Sequence, residues 1–138
     1  MNRPVFVDTS AWIAIISPRD KFHFSARAFY SDALAQKRSL LISNLVVSET
    51  YTNLRRMLGH RKAISFLDLI ERSSLIRCVW SDQELEAQAR DILRRHNDQD
   101  FSYTDAVSFA VMKHFELTEA FAFDHHFSTA GFTQLPVE

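Results

Sequence analysis

Four acidic residues stand where the pattern of this chain can bring carboxylates together. Val5-Phe6-Val7 runs into Asp8, and Ala120-Phe121-Ala122-Phe123 runs into Asp124. Both apolar runs read as strands. In an open parallel sheet the carboxyl ends of the strands share one edge, and ligands bind in the crevice there, so both carboxylates face the same crevice. Asp105 lies in Phe101-Ser102-Tyr103-Thr104-Asp105 and, at helical spacing, shares a face with Phe109 and Met112. A carboxylate on so apolar a face is costly unless a cation or a hydrogen-bond donor answers it. Glu49 falls away from the stripe of Val47, Tyr51, Leu54 and Leu58, near Leu45, Val46 and Asn53. Its spacing describes an exposed helix glutamate; its place near the start of the helix after the second strand puts it at the same carboxyl edge.

Each acid also has a purely structural use. An aspartate after a strand caps a helix or closes a turn, because its side chain accepts from nearby backbone N–H groups. Ser102 and Asp105 stand at capping-box spacing, with the shorter acid in place of glutamate. Capping and chemistry are compatible at that position.

The elements that must position these residues follow from the same pattern. Pro4 heads the first strand, where its missing N–H does least harm. A short buried helix runs from Thr9 or Ser10 through Ile16 and stops near Pro18, and the Trp12 to Ile16 run is core. The spacing predicts a helix from Ser25 to Lys37 with Ala28, Phe29 and Leu34 inward, and a second strand at Leu40-Leu41-Ile42. A helix capped by Asn44 then runs through Leu58 with Gly59 as its stop, followed by another from His60 to Arg72. Leu75 to Trp80 alternates as a third strand, and Ser81 and Glu84 stand at capping-box spacing before a charged helix through His96. After a polar loop at Asn97 to Asp100, a helix runs from Ser102 to about Glu116, and Ala120 to Phe123 makes a fourth strand. Strands separated by helices need crossover connections. The expected fold class is therefore α/β, a mostly parallel sheet of four or five strands with helices on both faces, in one domain over residues 1–138.

Composition narrows the rest. The 138 residues include two glycines and three prolines, too few turn formers for an all-β sandwich or barrel. With 46% hydrophobic and 24% charged residues, disorder and coiled coil are excluded as global descriptions. The formal net charge is -1, so contact with nucleic acid must use a local patch. Cys78 is the single cysteine, which leaves no internal disulfide and no cysteine-based zinc site. No signal segment opens the chain, and no apolar run approaches the roughly 20 residues of a membrane span. The expectation is a soluble cytoplasmic protein without membrane contact.

Val7-Asp8-Thr9-Ser10-Ala11, Ser48-Glu49, Ser102-Tyr103-Thr104-Asp105-Ala106 and Phe123-Asp124-His125-His126-Phe127 resemble the motifs of a PIN domain in order and spacing. The resemblance covers essentially the whole chain and is closest to stand-alone PIN ribonucleases such as the VapC-type toxins of prokaryotic toxin-antitoxin pairs. It implies a three-layer α/β/α fold and a Mg²⁺- or Mn²⁺-dependent endoribonuclease whose acids are Asp8, Glu49, Asp105 and Asp124. It also implies a cognate antitoxin protein that blocks the crevice, an RNA substrate and a homodimer. Physical chemistry agrees: clustered carboxylates raise one another's pKa unless a divalent cation compensates them, and Mg²⁺ prefers oxygen ligands. Asp8 and Asp105 are expected to ligate the ion directly, Asp124 directly or through water, and Glu49 to orient or deprotonate a bound water. An external water as nucleophile leaves a 5′-phosphate and a 3′-hydroxyl.

Other polar residues carry weaker expectations. Ser10, Ser102 and Thr104 offer hydroxyls for bonds behind the acids or to phosphate, though all three are explained as helix-start residues. Arg55 and Arg56, with His60, Arg61 and Lys62, form a basic run that meets RNA backbone by charge or serves only as a favourable helix end. His125 and His126 read as solvated or loop-packing, with only one of them able to face the site. Two other classes compete: a non-catalytic RNA- or protein-binding module on the same fold, and a receiver-like phosphotransfer domain. The second wants an acceptor aspartate where Trp80-Ser81-Asp82 stands and a lysine near the last strand, and no lysine follows Lys113.

Overall fold

The computed structural model describes residues 3–137, in which five strands alternate with seven helices. β1 (Val5–Val7) and β2 (Leu40–Ser43) are buried at every position, as strands covered on both faces must be. The order across the sheet is β3 (Ile76–Val79), β2, β1, β4 (Glu119–Phe121) and β5 (Thr133–Leu135), and all four pairings are parallel. The chain steps outward from β1 to β3, then returns to lay β4 and β5 on the other side of β1. Strand order thus reverses between β1 and β4, and the carboxyl ends of that pair flank the crevice where such sheets bind ligands.

Parallel strands joined by helices need crossover connections, and these are right-handed as a rule, which sends the helices of the outward steps and those of the return to opposite faces. α1 (Thr9–Ile16) packs on both α2 (His23–Ala35) and α3 (Asn44–Leu58), α3 packs on α4 (His60–Arg72), and α5 (Gln83–Arg95) packs on α6 (Tyr103–His114). Trp12, Phe6, Phe66, Phe109, Phe121 and Phe127 are the largest fully buried side chains, so the core is aromatic on both sides of the sheet. At the amino edge, Arg38 joins three segments: it donates to the carbonyl of Arg3 at 2.8 Å and pairs with Glu119 at 2.6 Å.

Several expectations need correction. The sheet has a fifth strand, β5, that the sequence reading did not place, and β4 ends at Phe121 rather than Phe123. α2 starts at His23, two residues before Ser25, and turns Ala26 and Ala33 inward while Ala28 faces solvent. Ser43, not Asn44, caps α3 by accepting from Val46 N–H, and Asn44 instead accepts from Ser81 N–H at 2.9 Å. Asp82 caps α5, and Ser81 donates to Glu86 rather than forming the expected box with Glu84. On α3 the buried line is Val46, Thr50 and Leu54; Val47, Tyr51 and Leu58 are half-buried.

Gly59 joins α3 to α4 at φ 94° and ψ 174°, a backbone region essentially confined to glycine. Nothing lies within 4 Å of the position a β-carbon would take, so any penalty there is conformational rather than steric crowding. Gly59→Ala is expected to cost about 1–3 kcal/mol in urea unfolding, with the fold retained. An unchanged midpoint would refute the strain.

Candidate active site

Asp8 leaves β1 as the N-cap of α1 and is 3% exposed. Its backbone N–H donates to the carbonyl of Phe121, the last residue of β4, at 3.0 Å. Its Oδ2 accepts from the N–H and the hydroxyl of Ser10, at 3.2 and 2.8 Å. The same hydroxyl accepts from Phe123 N–H at 3.0 Å, so Ser10 ties the start of α1 to the chain leaving β4. Those bonds hold Asp8 and Asp124 on one side of the reversal point.

Asp105, 7% exposed, completes the capping box expected from sequence: Ser102 N–H donates to its Oδ2, and its own N–H donates to Ser102 Oγ, both at 3.0 Å. Nδ1 of His126 lies 2.7 Å from the same Oδ2. Asp124 lies three residues beyond β4 and accepts from His126 N–H at 2.9 Å through Oδ1, which stands 3.8 Å from the His126 ring nitrogen. Ligand atoms of Asp105, Asp124 and His126 all fall within 4.8 Å of one another. Asp8 and Asp105 accept these bonds through Oδ2, and Asp124 through Oδ1.

Burial holds the Asp8 carboxyl well above its ordinary value of 3.8; the nearby Asp124 carboxyl pushes it further up by charge and hydrogen bonding, and the Asp105 charge adds to this against the opposing Ser10 hydroxyl. Among the described residues no lysine or arginine pairs with Asp8, Asp105 or Asp124. The clustered negative charge is therefore not neutralised by a protein cation other than His126 when protonated. The donor set fits a hard divalent ion, because carboxylate oxygens dominate it and the single imidazole nitrogen is already engaged with Asp105.

Glu49 is half-buried rather than exposed, on the second turn of α3 beside buried Val46 and Thr50. It is outside the group formed by Asp105, Asp124 and His126, and the charges acting on Asp8 are those of the other two aspartates. Ser102 is occupied by the capping box, and Thr104 is half-buried, its carbonyl accepting from Ser108 Oγ. Arg55 and Arg56 are exposed in the last turn of α3, about 17 Å along the axis from the helix start at the carboxyl edge. The structure does not bring them to the aspartates.

His126 corrects the expectation of a solvated or loop-packing histidine. Its ring is clasped between Asp105 and the edge of Phe101, 5.7 Å away between centroids, while His125 faces solvent. Phe127, fully buried against Phe6 and Phe109, anchors the short helix α7 (His126–Thr129) that presents it. The sequence held one usable signal: Asp124 and His126 are two positions apart, so a turn that fixes one fixes the other.

Comparisons with known proteins place this geometry. The family model described as PIN domain matches residues 5–133. The chain is 37% identical over 134 residues, 97% of its own length and 99% of the other, to the 23S rRNA-specific endonuclease VapC20 of Mycobacterium tuberculosis. It is 29% identical over 126 residues to a VapC ribonuclease of Archaeoglobus fulgidus, covering 88% of this chain and 78% of that one. Among solved structures, Mycobacterium tuberculosis VapC20, titled a sarcin-ricin loop cleaving toxin, superposes with a TM-score of 0.84 at 38% identity over 94% of this chain and 96% of that chain. VapBC2 of Rickettsia felis, bound to a promoter DNA fragment, shares the fold at a TM-score of 0.70 and 12% identity, over 95% and 96% of the two chains.

The charge cluster has a measurable consequence. Because its pKa is raised on folding, the folded protein keeps the Asp8 proton to higher pH than the unfolded chain. The stability this group contributes is complete below pH 3.8 and falls as pH rises through the elevated value. In EDTA, wild-type unfolding free energy is expected to decline across that window relative to Asp8→Asn, leaving the variant the more stable of the two near neutral pH. Added Mn²⁺ is expected to raise the melting temperature of wild type and not of the variant. Parallel pH profiles for the two proteins would refute the buried repulsion.

Proposed function

This chain belongs to the PIN-domain family, and on that premise we propose that it is an endoribonuclease, the toxin of a toxin-antitoxin pair, that hydrolyses RNA with a divalent cation held by Asp8, Asp105 and Asp124. The observation that carries the proposal is the convergence of those three carboxylates, without a lysine or arginine partner, at the point where strand order reverses. The names of the relatives support the same reaction class. The solved neighbours that are toxin-antitoxin complexes support a protein partner for this chain.

Each residue has a task in this reading. Asp8 and Asp105, fixed by Ser10 and by the Ser102 cap, hold the ion with little freedom to rearrange. Asp124 is the most open of the three, with a side chain 32% exposed, and would contact the ion through water. His126 positions Asp105 through the 2.7 Å contact. Glu49, half-buried on the helix that starts at the same edge, is assigned the orientation of the attacking water. When bound, the cation acidifies that water and offsets charge on the phosphoryl oxygens. Oxygen donors make Mg²⁺ the assigned ion, with Mn²⁺ able to replace it. Ser102, Thr104, Arg55 and Arg56 take no direct part.

Incubation with single-stranded RNA tests the reading, and a 23S rRNA fragment is the first substrate to try because a relative is named for it. Cleavage is expected with Mg²⁺ or Mn²⁺, to stop on adding EDTA, and to leave 5′-phosphate ends. Asp8→Asn and Asp105→Asn are expected to lower the rate by about 100-fold or more, and His126→Ala by about 10- to 100-fold with a matching loss of Mn²⁺ affinity. RNA binding that persists without cleavage under all these conditions would favour a non-catalytic module instead.

A further inference from the structure

The loop between α1 and α2 brings an aromatic group to the rim of the crevice. Phe22 stacks face to face on Phe123, at 4.6 Å between centroids and 9° between planes, and Phe123 immediately precedes Asp124. Asp20 fixes the loop by accepting from Phe22 N–H at 2.8 Å, and Nδ1 of His23 bonds the Ala14 carbonyl at 2.8 Å. On that braced base Phe24, in the first turn of α2, is 88% exposed, more than any other large apolar side chain described. Arg19, Lys21 and Arg27 are exposed on the same segment and form no salt bridge among the described residues, and Lys21 Nζ sits 4.9 Å over the Phe22 ring. Arg27 and Ala28 share its helical face.

We infer that Phe24, with Arg19, Lys21 and Arg27, is a stacking platform for an unpaired RNA base flanking the scissile phosphate. The inference rests on the endoribonuclease reading and adds how the substrate is gripped. An acid crevice repels the phosphate backbone except where the cation sits, so the strand needs purchase beside it. Single-stranded RNA is held by aromatic faces for its bases and cations for its phosphates, and both stand here on one segment. A protein-docking core would instead gather apolar residues and shed charge. Phe24 has the His23 ring edge-on at 5.8 Å and shares its segment with three exposed cations and the half-buried Phe22, and the other exposed large apolar groups, Met57, Trp80, Tyr103 and Val137, belong to other segments.

The test measures binding of a fluorescein-labelled single-stranded RNA, and quenching of 2-aminopurine placed at successive positions, in the cleavage-blocked Asp8→Asn background. Adding Phe24→Ala is expected to weaken binding between about 5-fold and about 150-fold and to abolish quenching at one position, whereas Phe24→Trp stays within about 2-fold. The melting temperature of each variant is expected to match its parent, since the side chain is in solvent. Unchanged binding and quenching in Phe24→Ala, with wild type still cutting RNA, overturns the platform and leaves the nuclease intact. Loss of a co-expressed partner protein with RNA affinity unaltered assigns Phe24 to protein contact and also overturns it. Wild type that neither binds nor cuts RNA sinks the nuclease reading, and the platform with it.

Discussion

Asp8, Asp105 and Asp124 bring three carboxylates into one crevice, and the repulsion among them is opposed by a small number of donors. Two of the three are nearly buried, where water screens poorly and an ionised oxygen is costly. Ser10 answers Asp8, the Ser102 backbone answers Asp105, and His126 bridges toward Asp124. These bonds position the groups without cancelling their charge. The arrangement is stable only because the surrounding fold imposes it, and such imposed strain is what a cation site relaxes.

The imposition comes from a division of labour between the two edges of the sheet. At the amino edge Arg38 clamps the Arg3 carbonyl and Glu119 together, and the strands between are buried throughout. At the carboxyl edge the same strands hand over to residues whose polar groups face one another. The aromatic core links the two, since Phe127 reaches from α7 to Phe6 and Phe109 and thereby sets where His126 lies. Favourable burial at one end and centre offsets the unfavourable charge at the other.

Much of this was legible in the chain. Strands read from Val5-Phe6-Val7 and Leu40-Leu41-Ile42 stand where expected, because continuous apolar runs admit few alternatives. The capping box at Ser102 and Asp105 was also readable, being local. Errors fell where two local solutions compete. Ser43 and Asn44 are both good caps, and Ser81 and Asp82 are both good caps, so the choice was decided by packing that spacing does not encode. Ala28 was assigned inward because alanine is mute about its environment. β5, three residues at the sheet margin, carries no alternation to detect. His126 was missed for a different reason. Its partner Asp105 is distant in sequence, and only the closed crevice brings them together.

The reversal of strand order between β1 and β4 also has a temporal side. The hydrogen bond from Phe123 to Ser10 spans 113 positions, so the crevice cannot form until segments far apart in the sequence have met. A chain in which β4 and the turn after it have not yet docked has neither Asp124 and His126 in place nor one of the two sheet neighbours of β1. For a protein assigned to attack RNA, a partly folded chain of that kind is unarmed.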